Sequence, residues 1–154
     1  MSDGLTSYER FWPFYLGEHA KWATKKWHVA GTGSGLICHF VLIWITRSMW
    51  WFPLGFVAGY FCAWYSHFFI ERNRPATFRH PYWSFFADFE QFFLMIFGWM
   101  PAELDRLAST GFLSPSPLRQ LYRSSMQIAV FAYFGLIAFA WWHGFLSFGR
   151  PPFW

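Results

Sequence analysis

Long apolar runs are the feature of this sequence that most restricts its fold. Four stretches, near residues 29–46, 50–70, 84–100 and 127–146, approach the roughly 20 residues that a helix needs to cross the bilayer hydrocarbon. A helix satisfies its own backbone hydrogen bonds, as a segment in lipid must. The sequence therefore predicts an all-α, polytopic transmembrane helical bundle with about four spans, forming a single membrane domain over residues 1–154.

The composition agrees with a membrane location. Hydrophobic residues make up 55% of the chain and charged residues only 13%, whereas ordinary soluble domains are roughly one-quarter charged. Aromatic residues reach 27%, and their rings suit the membrane interface. The composition therefore argues against a soluble fold. The net charge of +4 is first explained by cytoplasmic loops, so no nucleic-acid partner is expected.

The chain before the first apolar run is amphipathic. Residues 1–28 mix aromatic and charged side chains, which predicts an interfacial N-terminal segment. Pro13 is expected to break any helix in this segment. Thr24 is expected to cap the N-terminus of the first spanning helix.

The first two apolar runs are separated only by a short turn at Arg47-Ser48. They should form a hairpin whose outer ends return to the same side of the membrane. On the four-span arrangement, one side holds Arg10, Lys21, Lys25, Lys26, Arg72, Arg74, Arg79 and Arg150, and the other holds Arg47, Arg106, Arg119 and Arg123. The more basic side should be cytoplasmic, with both termini there. If residues 84–100 form a re-entrant or interfacial helix instead, the C-terminus moves to the opposite side.

Histidines gather at the open end of this hairpin. His19 and His28 precede the first run, His67 ends the second, Glu71 follows one helical turn later, and His80 lies in the next loop. Four imidazoles and a carboxylate at one membrane face suit a first-row transition metal such as iron or zinc. Each histidine alone could equally make a hydrogen bond or a headgroup contact. The nine-residue separation of His19 and His28 requires a bend between them.

Two further histidines, His39 and His143, lie within the first and last apolar runs. Such a pair could ligate a haem as axial ligands, although core histidines bonded to a neighbouring helix are the commoner case. A haem-binding electron carrier is therefore kept as an alternative.

Arginines and acids flank the histidines. Arg72, Arg74 and Arg79 share one loop, where they could serve membrane orientation alone, or one could bind a carboxylate or phosphate through its guanidinium fork. Asp88 and Glu90 could hydrogen-bond to a metal-binding histidine or simply be solvated at a helix end.

Taken in order, these residues resemble a known family. The family comprises small membrane proteins typified by the yeast endoplasmic-reticulum 2-hydroxy fatty acid dioxygenase, which acts in breakdown of phytosphingosine to odd-numbered fatty acids. The resemblance covers roughly residues 8–100, and its matching strings are Phe14-Tyr-Leu-Gly-Glu-His19, Trp27-His-Val-Ala-Gly-Thr32, His67-Phe-Phe-Ile-Glu-Arg-Asn-Arg-Pro-Ala76 and Phe78-Arg-His-Pro81.

The resemblance implies an iron(II)-dependent dioxygenase of the bacterial type. It would convert a 2-hydroxy fatty acid and molecular oxygen to the one-carbon-shorter fatty acid and carbon dioxide. His19, His28 and His67 are implied as catalytic metal ligands, with Glu71 and His80 as second choices. Zinc is not excluded, and Arg72 or Arg74 is expected to contact the substrate carboxylate.

The sequence also predicts where the protein is located. The protein should be a multi-pass integral membrane protein of the bacterial inner membrane, or of the endoplasmic reticulum in a eukaryote, with its site cytoplasmic and membrane lipid around it. A non-catalytic membrane protein that binds lipid or metal is the main alternative function.

Overall fold

The computed structural model describes residues 5–110 and 117–149. These residues form six helices and no strand, which confirms the all-α prediction. The helices are α1 Tyr8–Glu18, α2 Trp22–Thr46, α3 Trp51–Tyr65 with a π-helical extension Ser66–Glu71, α4 Pro81–Ile96, α5 Met100–Thr110 and α6 Pro117–Trp142.

Within the described residues, two helical segments are long and apolar enough to cross a membrane. They are α2, with 25 residues, and Ser124–Trp142 of α6, with 19 residues. The predicted four spans are not confirmed. The third predicted span falls on α4, whose 16 residues extend for about 24 Å at 1.5 Å per residue. That length is shorter than the roughly 30 Å hydrocarbon core.

The structure divides into two compact units. The first takes its residues from Met1–Thr32 and Tyr60–Ser114, and the second from Gly33–Gly59 and Pro115–Trp154. Both α2 and α3 contribute residues to each unit. Whether the whole chain acts as the single predicted domain stays a prediction.

Helix α1 forms the core of the first unit. Ser7 caps its start by accepting from the backbone N–H of Arg10, and the helix continues through Pro13 without the predicted break. Its apolar face is buried in the protein, and the interfacial position of this segment stays a prediction. The buried residues of this core are Phe11, Trp12, Tyr15, Leu16, Ala76, Ala87 and Met100.

The bend between the first two histidines lies earlier than predicted. Helix α1 ends at Glu18 and α2 begins at Trp22, so the chain turns over residues 19–21. Thr24 is the third residue of α2, and its buried hydroxyl has no hydrogen-bond partner among the described residues. It therefore does not cap the helix, and the prediction about Thr24 was wrong.

The segment that follows the third apolar run begins with helix α5. Glu103 on this helix accepts a 2.8 Å hydrogen bond from the Trp12 indole and pairs with Arg106 at 2.9 Å. The hydrogen bond from Trp12 attaches α5 to α1 in the first unit. The rest of that segment includes residues 111–116, which lie outside the described residues.

The second unit contains the closed end of the predicted hairpin. Helix α2 ends at Thr46, Arg47 adopts a left-handed φ of 54°, and α3 begins at Trp51. The two helices approach closely at Gly35, where an added Cβ would lie 3.2 Å from the Gly55 carbonyl oxygen. The absence of a side chain at both glycines permits this approach.

Candidate metal centre

Three histidines from three different segments meet in the first unit. His19 follows the end of α1, His28 lies in the second turn of α2, and His67 lies in the π-helical extension of α3. One ring nitrogen from each lies within 4.8 Å of the other two. All three side chains are buried. We call this group the three-histidine centre.

The Nδ1 atoms of these three histidines are held by three different oxygen acceptors. His19 contacts the Tyr15 carbonyl at 2.5 Å, His28 contacts the Asp88 carboxylate at 2.8 Å, and His67 contacts the Asn73 side-chain oxygen at 2.8 Å. Carbonyl and carboxylate oxygens only accept, so each Nδ1 carries the proton. In a neutral ring with this tautomer, the Nε2 carries the lone pair, which is the form that binds a metal ion.

Asn73 owes its orientation to a second contact. Its Nδ2 donates to the backbone oxygen of Glu18 and to the Glu18 carboxylate, both at 2.9 Å. This pairing directs the Asn73 oxygen towards His67. The same amide therefore joins the end of α1 to the end of α3 and fixes the tautomer of His67.

The Nε2 atoms of His19 and His28 lie 3.1 Å apart. When both rings are neutral, each Nε2 carries a lone pair, and two lone pairs at this distance repel each other. A cation between the rings removes that repulsion. The donor set therefore fits a divalent metal ion, held by three neutral imidazole nitrogens.

The electrostatic surroundings favour neutral imidazole at His19. Burial lowers the pKa of His19 well below its ordinary value of 6.5, and the nearby His28 and His67 lower it further. A histidine must be deprotonated at one nitrogen to bind a metal. His19 is therefore ready to act as a ligand at neutral pH without first losing a proton.

Tyr15 connects two of the three ligands. Its backbone carbonyl holds His19, and its hydroxyl donates at 2.5 Å to the same Asp88 oxygen that accepts from His28. Burial, and then the Asp88 charge, raise the pKa of Tyr15 well above 10.0. The phenol therefore stays protonated and remains a donor to Asp88.

Glu71 and His80 lie outside the three-histidine centre. Glu71 accepts a 2.7 Å hydrogen bond from the Lys21 backbone N–H. The His80 ring stacks on Trp83, with centroids 5.2 Å apart and planes 13° apart. The structure does not bring either residue into the ligand group, and their predicted role as ligands stays a prediction.

The predicted substrate-binding arginines differ in position. Arg72 ends the π-helical segment with a left-handed φ of 63° and is exposed. Arg74 lines a pocket of about 660 Å³ in the first unit, which we call the arginine pocket. Its lining residues are Phe14, Glu18, Phe68, Arg74, Pro75, Ala76, Phe78 and Arg79.

The two histidines considered for haem are engaged separately in the second unit. The Nδ1 of His39 contacts the Gly35 carbonyl of its own helix at 2.7 Å, and its ring packs against Phe52. The His143 ring packs against Phe139, with centroids 4.3 Å apart. The His39 contacts match the structural role of a core histidine, whereas His143 is exposed, and neither set of contacts supports a haem.

Some of the residues that hold the three histidines could be predicted from the sequence, and others could not. Asp88 was considered as a histidine partner and does contact His28, whereas Glu90 instead accepts from the Tyr8 hydroxyl at 3.0 Å. Asn73 and Tyr15 were not considered. One feature of the sequence does point to Asn73. It is the neutral polar residue nearest the end of the helix that carries His67.

The fold and the centre together define an all-helical protein with a buried group of three convergent imidazoles. A family model described as 2-hydroxy-palmitic acid dioxygenase Mpo1-like matches residues 5–100. The chain belongs to this Mpo1-like family, which confirms the resemblance noted in the sequence. Neither a curated protein nor a solved structure matches the chain.

Proposed function

We propose that this protein is an iron(II)-dependent dioxygenase that performs α-oxidation of 2-hydroxy fatty acids. The family description names a 2-hydroxy-palmitic acid dioxygenase, and the convergence of one ring nitrogen from each of three buried histidines is the observation that carries the proposal. The reaction balances without another reductant: one hydroxy acid and one oxygen molecule give the one-carbon-shorter acid, carbon dioxide and water.

His19, His28 and His67 would hold the iron through their Nε2 atoms. Iron(II), when bound, supplies a centre at which molecular oxygen and the hydroxy acid can react. The protein's own contribution is orientation, because Tyr15 and Asp88 fix the rings of two ligands. Zinc suits the same nitrogens, so the identity of the metal is part of the proposal.

Arg72 and Arg74 are the proposed contacts of the substrate carboxylate, to which a guanidinium offers paired donors. Substitution of each by Gln should raise the KM for the hydroxy acid. Arg74 is favoured over Arg72 because it lines the arginine pocket. An unchanged KM in both variants would remove these arginines from the proposed site.

The proposal includes a multi-pass membrane location with the centre on the cytoplasmic face of a bacterial inner membrane. Support comes from the large apolar side chains that α2 and α6 expose, among them Ile37 and Ile45 on α2 and Ile128 and Phe131 on α6. Exposed apolar surface on this scale is typical of helices that contact lipid.

The test is to incubate the full chain with iron(II), oxygen and 2-hydroxypalmitic acid, after anaerobic purification, and to detect the shortened acid by mass spectrometry. We expect His19→Ala, His28→Ala and His67→Ala to abolish product. His143→Ala is the matched control, because it removes an exposed histidine outside the centre. Retained activity in any of the first three variants would contradict the proposal.

A non-catalytic role in binding metal or lipid is the competing function. It predicts that the purified chain holds a metal through the three-histidine centre but yields no shortened acid and consumes no oxygen. Metal analysis beside the product assay separates the two functions.

A further inference from the structure

We propose that the arginine pocket is a docking site for the carboxylate end of a long-chain fatty acid, with Arg74 and Arg79 as the residues that bind the carboxylate. The choice of a fatty acid as occupant rests on the proposed function. The pocket itself, and the role of Arg79, follow from the geometry of the first unit.

The walls of the pocket suit an alkyl chain. Phe14, Phe68 and Phe78 line it, and the side chains of Phe68 and Phe78 are 49% and 58% exposed. Its volume of about 660 Å³ lies in the usual range for small-molecule sites, roughly 300–1,000 Å³. Aromatic walls with a few charged groups are the common composition of such sites.

The charges of the pocket favour an anion. Arg74 and Arg79 are both exposed, and no ion pair is found for either among the residues that the structure describes. Glu18, the one acid in the lining, accepts from the Asn73 amide at 2.9 Å, and its single negative charge stands against the two positive charges of the arginines. Two guanidinium groups therefore remain for a ligand, and their forked donors match a carboxylate.

The position of the pocket connects it to the three-histidine centre. Glu18 directly precedes His19 and Phe68 directly follows His67, so two of the lining segments also carry ligands. The histidines themselves do not line the pocket. A fatty acid whose carboxylate meets Arg74 and Arg79 would therefore have its carboxyl end beside the segments that carry His19 and His67.

The experiment measures binding of palmitic acid to the full metal-free chain in phosphatidylcholine nanodiscs. Palmitic acid lacks the 2-hydroxyl and serves as an unreactive probe. Arg74→Gln and Arg79→Gln should each weaken binding by about fivefold, the size expected for a partly exposed charged contact. Arg10→Gln is the matched control, since it removes an exposed arginine of α1 from outside the pocket.

Equal weakening in Arg10→Gln would overturn the proposal, because it would indicate only a general effect of charge. Unchanged binding in both pocket variants would overturn it as well. Tighter binding of lysophosphatidic acid than of palmitic acid would show that the occupant is a phosphate headgroup and not a fatty acid.

Turnover of the same variants separates this proposal from the proposed function. Docking predicts a raised KM for the 2-hydroxy acid with an unchanged kcat in Arg79→Gln. If product forms with an unaltered KM, the docking site fails and the dioxygenase stands. If palmitic acid binds through both arginines but the wild-type chain makes no product, the dioxygenase fails and the docking site stands.

Discussion

At the scale of single residues, the centre depends on oxygen acceptors behind the histidines. Tyr15 is central to this arrangement, because its carbonyl orients His19 and its hydroxyl orients the carboxylate that holds His28. Asn73 does the same for His67. Metal affinity should therefore respond to residues that never contact the metal.

Asp88→Asn tests this dependence. The substitution keeps the shape of the side chain but removes the negative charge of the carboxylate that accepts from His28 Nδ1 at 2.8 Å. Iron(II) affinity should therefore fall by about 10- to 100-fold. Glu90→Gln is the matched change on the same helix, on an acid that accepts from Tyr8, and should alter affinity far less. Equal losses in a metal titration would show that the effect is not specific to the histidine contact.

The depressed pKa of His19 predicts acid lability of the metal-free protein. Burial keeps His19 neutral in the folded chain, whereas the unfolded chain takes up a proton near the ordinary value of 6.5. Between the two pKa values the unfolded state binds more protons, so stability is lost as pH falls below 6.5. Thermal unfolding measured above and below that pH should show a lower Tm in acid, and His19→Gln should reduce the difference. A Tm that rises in acid would contradict the assignment.

At the scale of elements, the hairpin is held by close helix contact in the second unit. A Cβ added at Gly55 would lie 2.5 Å from a ring carbon of His39 and 3.1 Å from the Cys38 Cβ. Gly55 therefore provides the space that His39 occupies between α2 and α3.

Gly55→Ala should accordingly destabilise the protein by about 1–3 kcal/mol through overpacking. Gly135 on α6 is the control, because a Cβ there would meet no atom of the described residues (5–110 and 117–149) within 4 Å, and alanine favours a helix by up to about 1 kcal/mol. Thermal unfolding in detergent should show a lowered Tm for Gly55→Ala and an equal or raised Tm for Gly135→Ala. The reverse order would refute the close approach.

Sequence patterns predicted the meeting of His19, His28 and His67, because a short turn between two apolar runs returns their outer ends to one place. They did not predict the burial of α1, since its amphipathic face suits a lipid surface and a protein core equally well. Asn73 and Tyr15 could not be predicted as supports. Their roles depend on which side chains face the three histidines. The turn at residues 19–21 and the π-helical extension of α3 determine how these side chains face one another.

At the scale of the whole molecule, the membrane arrangement determines which side the centre faces. The four-span proposal places both termini in the cytoplasm, since an even number of crossings returns the chain to its starting side. Fusions of green fluorescent protein to either terminus should therefore fluoresce, whereas alkaline phosphatase fusions should be inactive. An active phosphatase at the C-terminus alone would indicate an odd number of crossings, as expected if residues 84–100 do not span.

The three-histidine centre is the claim on which the account depends, and X-ray absorption at the iron edge tests it most directly. The spectrum of the iron(II)-loaded chain should show about three imidazole ligands, the number of convergent Nε2 atoms, and His67→Ala should lose that pattern. An iron environment without imidazole, or one that is unchanged in His67→Ala, would contradict the centre.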